Sequence, residues 1–480
     1  RNKERISMWR NALVCLIAAS LCCAQKKTAV CCIGGGYVGA TTGAIIADKC
    51  PGAVVYIVDK DEEKIKKWNS EVLPIYEEGL KDIVHRRRDK NLFFITDAKK
   101  AIESSRIIFL CVNTPTKNHG IGSGESYDMS FTELAVREIM KHTDGKKIVV
   151  EKSTVPCKTA ENIKDLIEKS GFSEKITVLS NPEFLAQGTA VRDLLNPDRV
   201  LIGCFPEPAG WGAQEELREI YASWVPEEKI LSAKIWTSEL AKLAANAFLS
   251  QRVSSINALS SLCERVGADI VELSEAVGMD SRIGNDFLSA GLGFGGSCFE
   301  KDIRCLIYLC GYYNLKEEAD YWSGIIRIND HQKKRFVQTI FERMFSTLSN
   351  KKVAVLGFAF KKGTFDTRKT PAADIVKGLM KENTCVHLYD PMVKAEDVYA
   401  ELGMTKEETP GLSISKSVEE ACLKADAVVI STDWDCFKDI DFAAIREGMN
   451  NPAFLFDGKN LFDPAELREA GFVVYSVGRG

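Results

Sequence analysis

The chain has 480 residues, 45% hydrophobic and 27% charged, with a formal net charge of −4, a length that predicts two or three domains of about 100–200 residues each. Lysines, arginines and acids are interspersed, so no basic stripe offers a footprint for nucleic acid, and small molecules or copies of the chain itself are the expected partners. Sixteen cysteines stand singly or inside apolar runs and five histidines lie far apart, so neither a disulfide framework nor a metal site is expected.

At the amino end, MWRNALVCLIAASLCCAQ (8–25) has the basic start, apolar run and small residues of a secretory leader. It is too short for a membrane span. The thiol-rich remainder is of the kind kept reduced in the cytosol, so a cytoplasmic location is expected, and residues 1–25 are set apart from the fold.

From Lys27 onward, apolar runs alternate with helical stretches, as in a parallel sheet with crossover helices. The predicted strands are TAVCCIG, AVVYIVD (53–59), NLFFIT (91–96), RIIFLCV (106–112), KKIVVEKST (146–154), KITVLSNPE (175–183) and DRVLIG (198–203). Their unbroken Val/Ile/Leu content predicts burial on both faces. The first strand runs into GGGYVG, where Gly34, Gly36 and Gly39 satisfy G-x-G-x-x-G ahead of a helix. Such a turn brings backbone N–H groups to a pyrophosphate at a helix N-terminus. Asp59 closes the second strand where an acid accepts from both ribose hydroxyls, favouring NAD over NADP. Two later strand ends, CVNTPT (111–116) and EKSTVP (151–156), carry hydroxyls and prolines at the edge where such sheets bind ligands.

Strand signals then cease for more than a hundred residues. In residues 236–267, Leu240, Leu243, Ala244, Ala247 and Phe248 recur at helical spacing, with Ser238 as the predicted N-cap. Lys242 and Asn246 sit i,i+4 on that helix, so an ammonium and an amide project together. In GFGGSCFEKD the glycines bring backbone close to something bulky, and a helix is predicted to start at Ser297. Cys298 then occupies its first turn, where the dipole favours a thiolate, and Asp302 lies on the same face, while Cys305 and Cys310 read as core. A second long helix is predicted over 317–346. Strands return in KKVAVLGFAF (351–360), VHLYDP (386–391), ADAVVIST (425–432), NPAFLFDGKN (451–460) and FVVYSVG (472–478). The expected architecture is α/β: two doubly wound Rossmann-like domains (26–235 and 349–480) joined by a central helical domain (236–348).

GGGYVG, NPEFLAQGTA (181–190), ELAKLAANAF (239–248), GFGGSCFEKD (293–302) and GFAFKKGTFDTR (357–368), in that order, make the chain similar to the UDP-glucose/GDP-mannose dehydrogenase family, most closely its animal-type members. The resemblance runs from Lys26 to Gly480. It implies oxidation of the C6 alcohol of UDP-glucose to a carboxylate with two NAD and one water. Cys298 would be the nucleophile: the first oxidation makes an aldehyde, thiolate addition gives a thiohemiacetal, the second oxidation leaves a thioester, and hydrolysis releases the acid.

By the same resemblance, Lys242 and Asp302 would handle the alcohol proton and water, and Lys242 with Asn246 would stabilise oxyanion charge. Glu183 and Thr154 would position water for hydrolysis, with Glu183 as its acid/base. NAD would meet Tyr37, Val38, Lys64, Val112, Asn113, Thr114, Pro115, Thr116, Ser153, Thr154, Gln187 and Arg368 besides the glycines and Asp59. The UDP-sugar would meet Glu183, Phe184, Leu185, Lys242, Asn246, the run Ser289–Gly295 with Phe294, then Phe360, Lys361 and Lys459. Arg282 would reach the sugar site of a neighbouring subunit, implying a dimer or a dimer-based hexamer.

Three positions depart from the family pattern: Gln187 stands where Glu is usual, Lys459 where Arg binds substrate, and Gly363 where Asp is found. Lysine keeps the charge but loses the planar fork, which predicts weaker sugar binding. Members acting on UDP-N-acetylhexosamines or GDP-mannose share the motifs. An inactive nucleotide-sugar-binding subunit could keep them too.

Overall fold

The computed structural model describes residues 28–479, and the leader-like stretch 1–25 lies outside them. The chain forms two compact units: residues up to Pro115 with Tyr127–Lys242, and Thr116–Ser126 with everything from Leu243 onward.

In the first unit the strands are Ala29–Ile33 (β1), Val54–Val58 (β2), Leu92–Ile95 (β3), Ile107–Leu110 (β4), Lys147–Glu151 (β5), Ile176–Ser180 (β6), Val200–Cys204 (β7) and Ile230–Lys234 (β8). They lie in the order β3-β2-β1-β4-β5-β6-β7-β8. Val30 on β1 faces Val55 on one side and Ile107 on the other, both in parallel, so the winding reverses at β1, where open sheets bind ligands. Successive side chains leave a strand on opposite faces. Val30, Cys32, Ile107 and Phe109 enter one core, whereas Cys31, Ile108, Leu110 and Val149 enter another. Burial on both sides removes any need for polar alternation, which is why these strands read as unbroken apolar runs.

Two features differ from the expected sheet. β7 pairs antiparallel with β6, Leu179 facing Cys204. The helix between them, Ala190–Leu195, packs against the helix Tyr37–Lys49 instead of serving as a crossover along the sheet. β8 was not among the predicted strands, because Leu231, Ser232 and Lys234 of ILSAK are exposed at the sheet's edge and break the apolar run.

The second unit holds Lys352–Leu356 (β9), Cys385–Tyr389 (β10), Leu412–Ile414 (β11), Ala427–Ile430 (β12), Phe454–Asp457 (β13) and Val473–Ser476 (β14). Their order is β11-β10-β9-β12-β13-β14, parallel throughout. The three-residue β11 is too short to show a pattern in sequence. Helices Ile235–Val266 and Lys316–Arg343 supply Ile256, Cys263, Phe336 and Ile340 to the same core as Val353, Val355 and Phe456 of this sheet. From Leu243 on, the helical middle therefore shares a core with the second sheet.

Along the helix Ile235–Val266, Leu243 and Ala247 are fully buried as expected, but Leu240 and Phe248 are 42% and 59% exposed. Ser238 is not its N-cap. The helix starts three residues earlier at Ile235, and the buried Ser238 hydroxyl instead pairs with the Ser180 hydroxyl at 3.0 Å. Among the described residues no helix is long and apolar enough to cross a membrane.

Phe336 is 2% exposed and packs against Phe456 and Tyr475 at centroid distances of 6.5 and 6.0 Å. Phe336→Ala should lower the unfolding free energy of the second unit by about 3–5 kcal/mol, read by calorimetry as an earlier transition for that unit. An unchanged transition would deny the shared core.

Candidate active site

The glycine turn is built by crowding. Gly34 has φ +111°, and a Cβ there would stand 2.5 Å from the Cys111 carbonyl oxygen; one on Gly39 would stand 2.0 Å from the Gly34 oxygen. Gly36, the N-cap of the helix Tyr37–Lys49, faces open space. That helix has no side-chain cap and no acid in its first turn, leaving its first N–H groups to a phosphate. Asp59 Oδ2 accepts from Gly35 N at 3.0 Å and Lys64 Nζ at 2.8 Å, and Oδ1 from Asp61 N at 3.0 Å. Burial alone would raise this carboxyl, yet Lys64 and the two backbone donors hold it below the usual carboxylate range. The donors and the open space at Gly36 fit a dinucleotide.

The loops after β4 and β5 are tied to each other. Ser153 Oγ donates to Val112 O at 2.6 Å, and Thr114 Oγ1 to Thr154 O at 2.8 Å. Pro115 O accepts from Asp128 N at 2.8 Å, Asn113 is exposed, and Val38 is partly buried against the core. Thr116 belongs to the second unit, at the head of its 116–126 loop. Tyr37 is less available than expected, since its hydroxyl donates to Glu77 Oε1 at 2.6 Å. Burial and this carboxylate push its pKa up.

Glu183, at the carboxyl end of β6, accepts from Leu185 N at 2.9 Å through Oε2 and meets Lys242 Nζ at 3.4 Å through Oε1. Both side chains are under 10% exposed. The Phe184 ring lies under the Arg199 guanidinium, 3.8 Å from its centroid, and 5.6 Å from Lys242 Nζ. Gln187 is half-buried in the following turn.

In the second unit, Cys298 is exposed and occupies the N-cap of the helix Phe299–Tyr312. The helix begins two residues later than the predicted Ser297, so the thiol stands just ahead of the first turn instead of inside it. Ser297 Oγ lies 3.5 Å from its sulfur. Asp302 N donates to Cys298 O at 2.9 Å. The Asp302 side chain is fully buried, with Lys301 Nζ 2.8 Å from Oδ1 and Asn246 Nδ2 donating to Oδ2 at 2.5 Å. Asn246 sits one turn beyond Lys242 on the single helix Ile235–Val266. Cys305 and Cys310 are buried, as expected.

The bulk that the glycines before Cys298 avoid belongs to the protein. A Cβ on Gly293 (φ +113°) would lie 2.4 Å from Asn329 Oδ1, on Gly295 2.5 Å from Lys369 O, and on Gly296 (φ +84°) 2.9 Å from the Phe360 ring. Asn329 accepts from Phe294 N at 2.8 Å and donates to Phe294 O at 3.1 Å. Ser289 is exposed and Phe294 buried. Lys361 Nζ lies 5.9 Å from the Phe360 ring. Arg368 is held on Asp366 at 2.6 Å; that carboxylate, with Cys298 among the lesser causes, raises its pKa. Lys459 Nζ is 3.6 Å from Asp433, and its N–H donates to the buried Asp457 at 2.9 Å. Arg282 is exposed and paired with Asp280 at 2.6 Å.

Several contributors had no signal in sequence. Buried Glu77 accepts from Gly188 N at 2.6 Å and Ala190 N at 2.9 Å as well as from Tyr37, fixing the turn around Gln187. Lys301 pairs with Asp302, Asn329 straps the Phe294 backbone, and Lys152 is buried behind the β5 end. Glu151 is pushed toward its protonated form by burial and by Glu239. Each reads in sequence as an ordinary surface polar residue; only pairing reveals it.

Three family models cover most of the chain: the NAD binding domain of the UDP-glucose/GDP-mannose dehydrogenase family over residues 28–225, its central domain over 236–331 and its UDP binding domain over 354–464. UDP-glucose 6-dehydrogenase 4 of Arabidopsis thaliana is 51% identical over 464 residues, 94% of this chain and 97% of that one. UDP-glucose 6-dehydrogenase 2 of Oryza sativa subsp. japonica is 50% identical over 466 residues, with the same coverage. These relatives are plant proteins and give the animal-type expectation no support. Among solved structures, a UDP-glucose dehydrogenase from the archaeon Pyrobaculum islandicum matches with a TM-score of 0.83 at 28% identity, over 95% of this chain and 99% of that one. A UDP-D-ManNAc dehydrogenase from Pyrococcus horikoshii matches at 0.79 and 26%, over 94% and 100%. With all three models matched in order and half its residues shared with such relatives over nearly its full length, the chain belongs to the UDP-glucose/GDP-mannose dehydrogenase family.

Proposed function

We propose that the chain is an NAD-dependent UDP-glucose 6-dehydrogenase that carries the sugar C6 alcohol to a carboxylate through a thioester on Cys298. The observation that carries this reading is an exposed thiol at a helix N-cap, one turn from a buried Asp302 that Asn246 and Lys301 both engage. A structural thiol has no need of that setting. Bound NAD+ supplies the hydride acceptor for each of the two oxidations.

The remaining chemistry falls to the chain's own side chains. Lys242 and Asp302 handle the C6 hydroxyl proton and organise water, and Lys242 with Asn246, one turn apart on one helix, stabilise negative charge on that oxygen. The Cys298 thiolate adds to the aldehyde carbon, and Lys242 and Asn246 have the role of donors to the resulting oxyanion. After the second oxidation, a water placed by Thr154 and Glu183 bonds to the acyl carbon. The C–S bond breaks, its electron pair returns to sulfur, and the water proton passes to Glu183. Gly34, Gly36, Gly39, Asp59, Lys64, the 112–116 and 153–154 loops, Gln187 and Arg368 serve the dinucleotide. Phe184, Leu185, the 289–295 run, Phe360, Lys361 and Lys459 serve the UDP-sugar. The identity of the sugar rests on relatives near 50% identity being named UDP-glucose 6-dehydrogenases.

Self-association belongs to the same reading. Phe248, Leu259, Leu262 and Val266 are 41–66% exposed and, at spacings of 11, 3 and 4, share one face of the helix Ile235–Val266. A second copy covering that face would form a dimer, alone or within a hexamer, to which Arg282 contributes. The thiol-rich composition, sixteen cysteines in 480 residues, favours a reducing compartment, the cytosol.

Incubation with NAD and, in turn, UDP-glucose, a UDP-N-acetylhexosamine and GDP-mannose should give two NADH per sugar with UDP-glucose alone. Turnover of another sugar with UDP-glucose inert would overturn the substrate assignment, and no absorbance rise with any of them would favour a non-catalytic subunit. Cys298→Ser should abolish turnover while calorimetric affinities for NAD and UDP-glucose stay close to those of the parent chain; lost binding would make the thiol structural. Restoring the planar fork with Lys459→Arg should lower KM for UDP-glucose by about tenfold, with kcat little changed, in initial-rate measurements.

A further inference from the structure

We propose that Lys152 is a positioning residue for thioester hydrolysis, tying the strand end that carries Thr154 to the strand end that carries Glu183. The inference rests on the reading that Thr154 and Glu183 place the hydrolytic water. β5 and β6 run side by side with Glu151 facing Ser180, and the residues just beyond them, Lys152 and Asn181, are 3% and 0% exposed. Lys152 Nζ donates to Asn181 Oδ1 at 3.0 Å and to the Tyr221 hydroxyl at 3.2 Å. Tyr221 in turn donates to the same Asn181 oxygen at 2.6 Å, closing a three-membered network. Asn181 Nδ2 spends its donor on Leu201 O at 2.8 Å, and Asn181 N donates to Glu151 O at 2.8 Å. The network is anchored to β5, β6, β7 and the helix Pro208–Tyr221. Two residues beyond Lys152 lies Thr154, and two beyond Asn181 lies Glu183.

Both acceptors of this ammonium are neutral, and a buried cation held only by neutral groups is costly. A leucine or methionine would fill the space at lower cost, so packing does not account for the lysine. The charged and titratable groups that feel it are Glu183, Cys111, Cys32 and Lys242, and burial brings its pKa down to about 8. It remains mostly cationic at neutral pH. Glu183 thus has two lysines from different elements behind it, Lys242 at 3.4 Å from its Oε1 and Lys152 holding the strand end two residues before it.

Three variants test this: Lys152→Met, Lys152→Arg and Glu183→Gln. Met keeps the length and leaves Asn181 Oδ1 its bond from Tyr221, so the fold should survive. In rapid mixing with NAD and UDP-glucose, Lys152→Met should retain the NADH burst of both oxidations and then turn over about a hundredfold more slowly, with KM for UDP-glucose little changed. Intact-protein mass spectrometry should show the uronyl adduct on Cys298. Lys152→Arg should recover most of the rate. Unchanged kcat in Lys152→Met, or loss of the burst itself, overturns the assignment. An adduct in Glu183→Gln but none in Lys152→Met overturns it alone, whereas no adduct in Glu183→Gln overturns the hydrolytic reading beneath it.

Discussion

A carboxylate with no solvent contact persists only where each oxygen has a partner, and Asp302 is such a group. Lys301 engages one oxygen and Asn246 the other, which ties the first turn of the helix Phe299–Tyr312 to the flank of the helix Ile235–Val266. The amide of Asp302 also closes onto the Cys298 carbonyl. The position of the thiol is therefore set from both sides, by the buried Asp302 after it and by the largely buried glycine run before it. The aim of Asn246 and the anchoring of the helix start beside the thiol both follow from one buried acid.

The same economy recurs in the first unit. Asp59 and Glu77 each accept from two backbone N–H groups and a side chain, and Glu183 accepts from Leu185 N and pairs with Lys242. Each thereby fixes a turn at the carboxyl edge of the sheet: the glycine turn, the 186–190 turn and the NPEF turn. Their charges are directed inward to the loops first, and the loops present what remains.

Much of this was legible in sequence where a residue's role is local. The glycine turn announces itself because Gly34 and Gly39 admit no side chain, and β1, β4 and β5 do because strands buried on both faces cannot be polar. Cys298 stands out through the glycine run and the helix start beside it, Asp302 through its i,i+4 spacing from that thiol, and the five motifs in order name the family. What stayed hidden depends on pairing across the chain. Lys152 with Asn181 and Tyr221, Glu77 with Gly188, and Asn329 with Phe294 are separated by 29 to 111 residues, and no periodicity links them. β8 and β11 were missed because an exposed edge and three residues carry too little pattern, and the reversed β7 because direction is not written in hydrophobicity.

Asn329 carries a last consequence. One amide there supplies both an acceptor and a donor to the two backbone groups of Phe294, with Gly293 pressed against its oxygen. Aspartate would lose the donor, leucine both functions, and glutamine would need a methylene's more room than a vanished Cβ leaves. No other side chain at position 329 makes both bonds in that space, so a substitution there would unstrap the Phe294 backbone and loosen the glycine run that leads into Cys298.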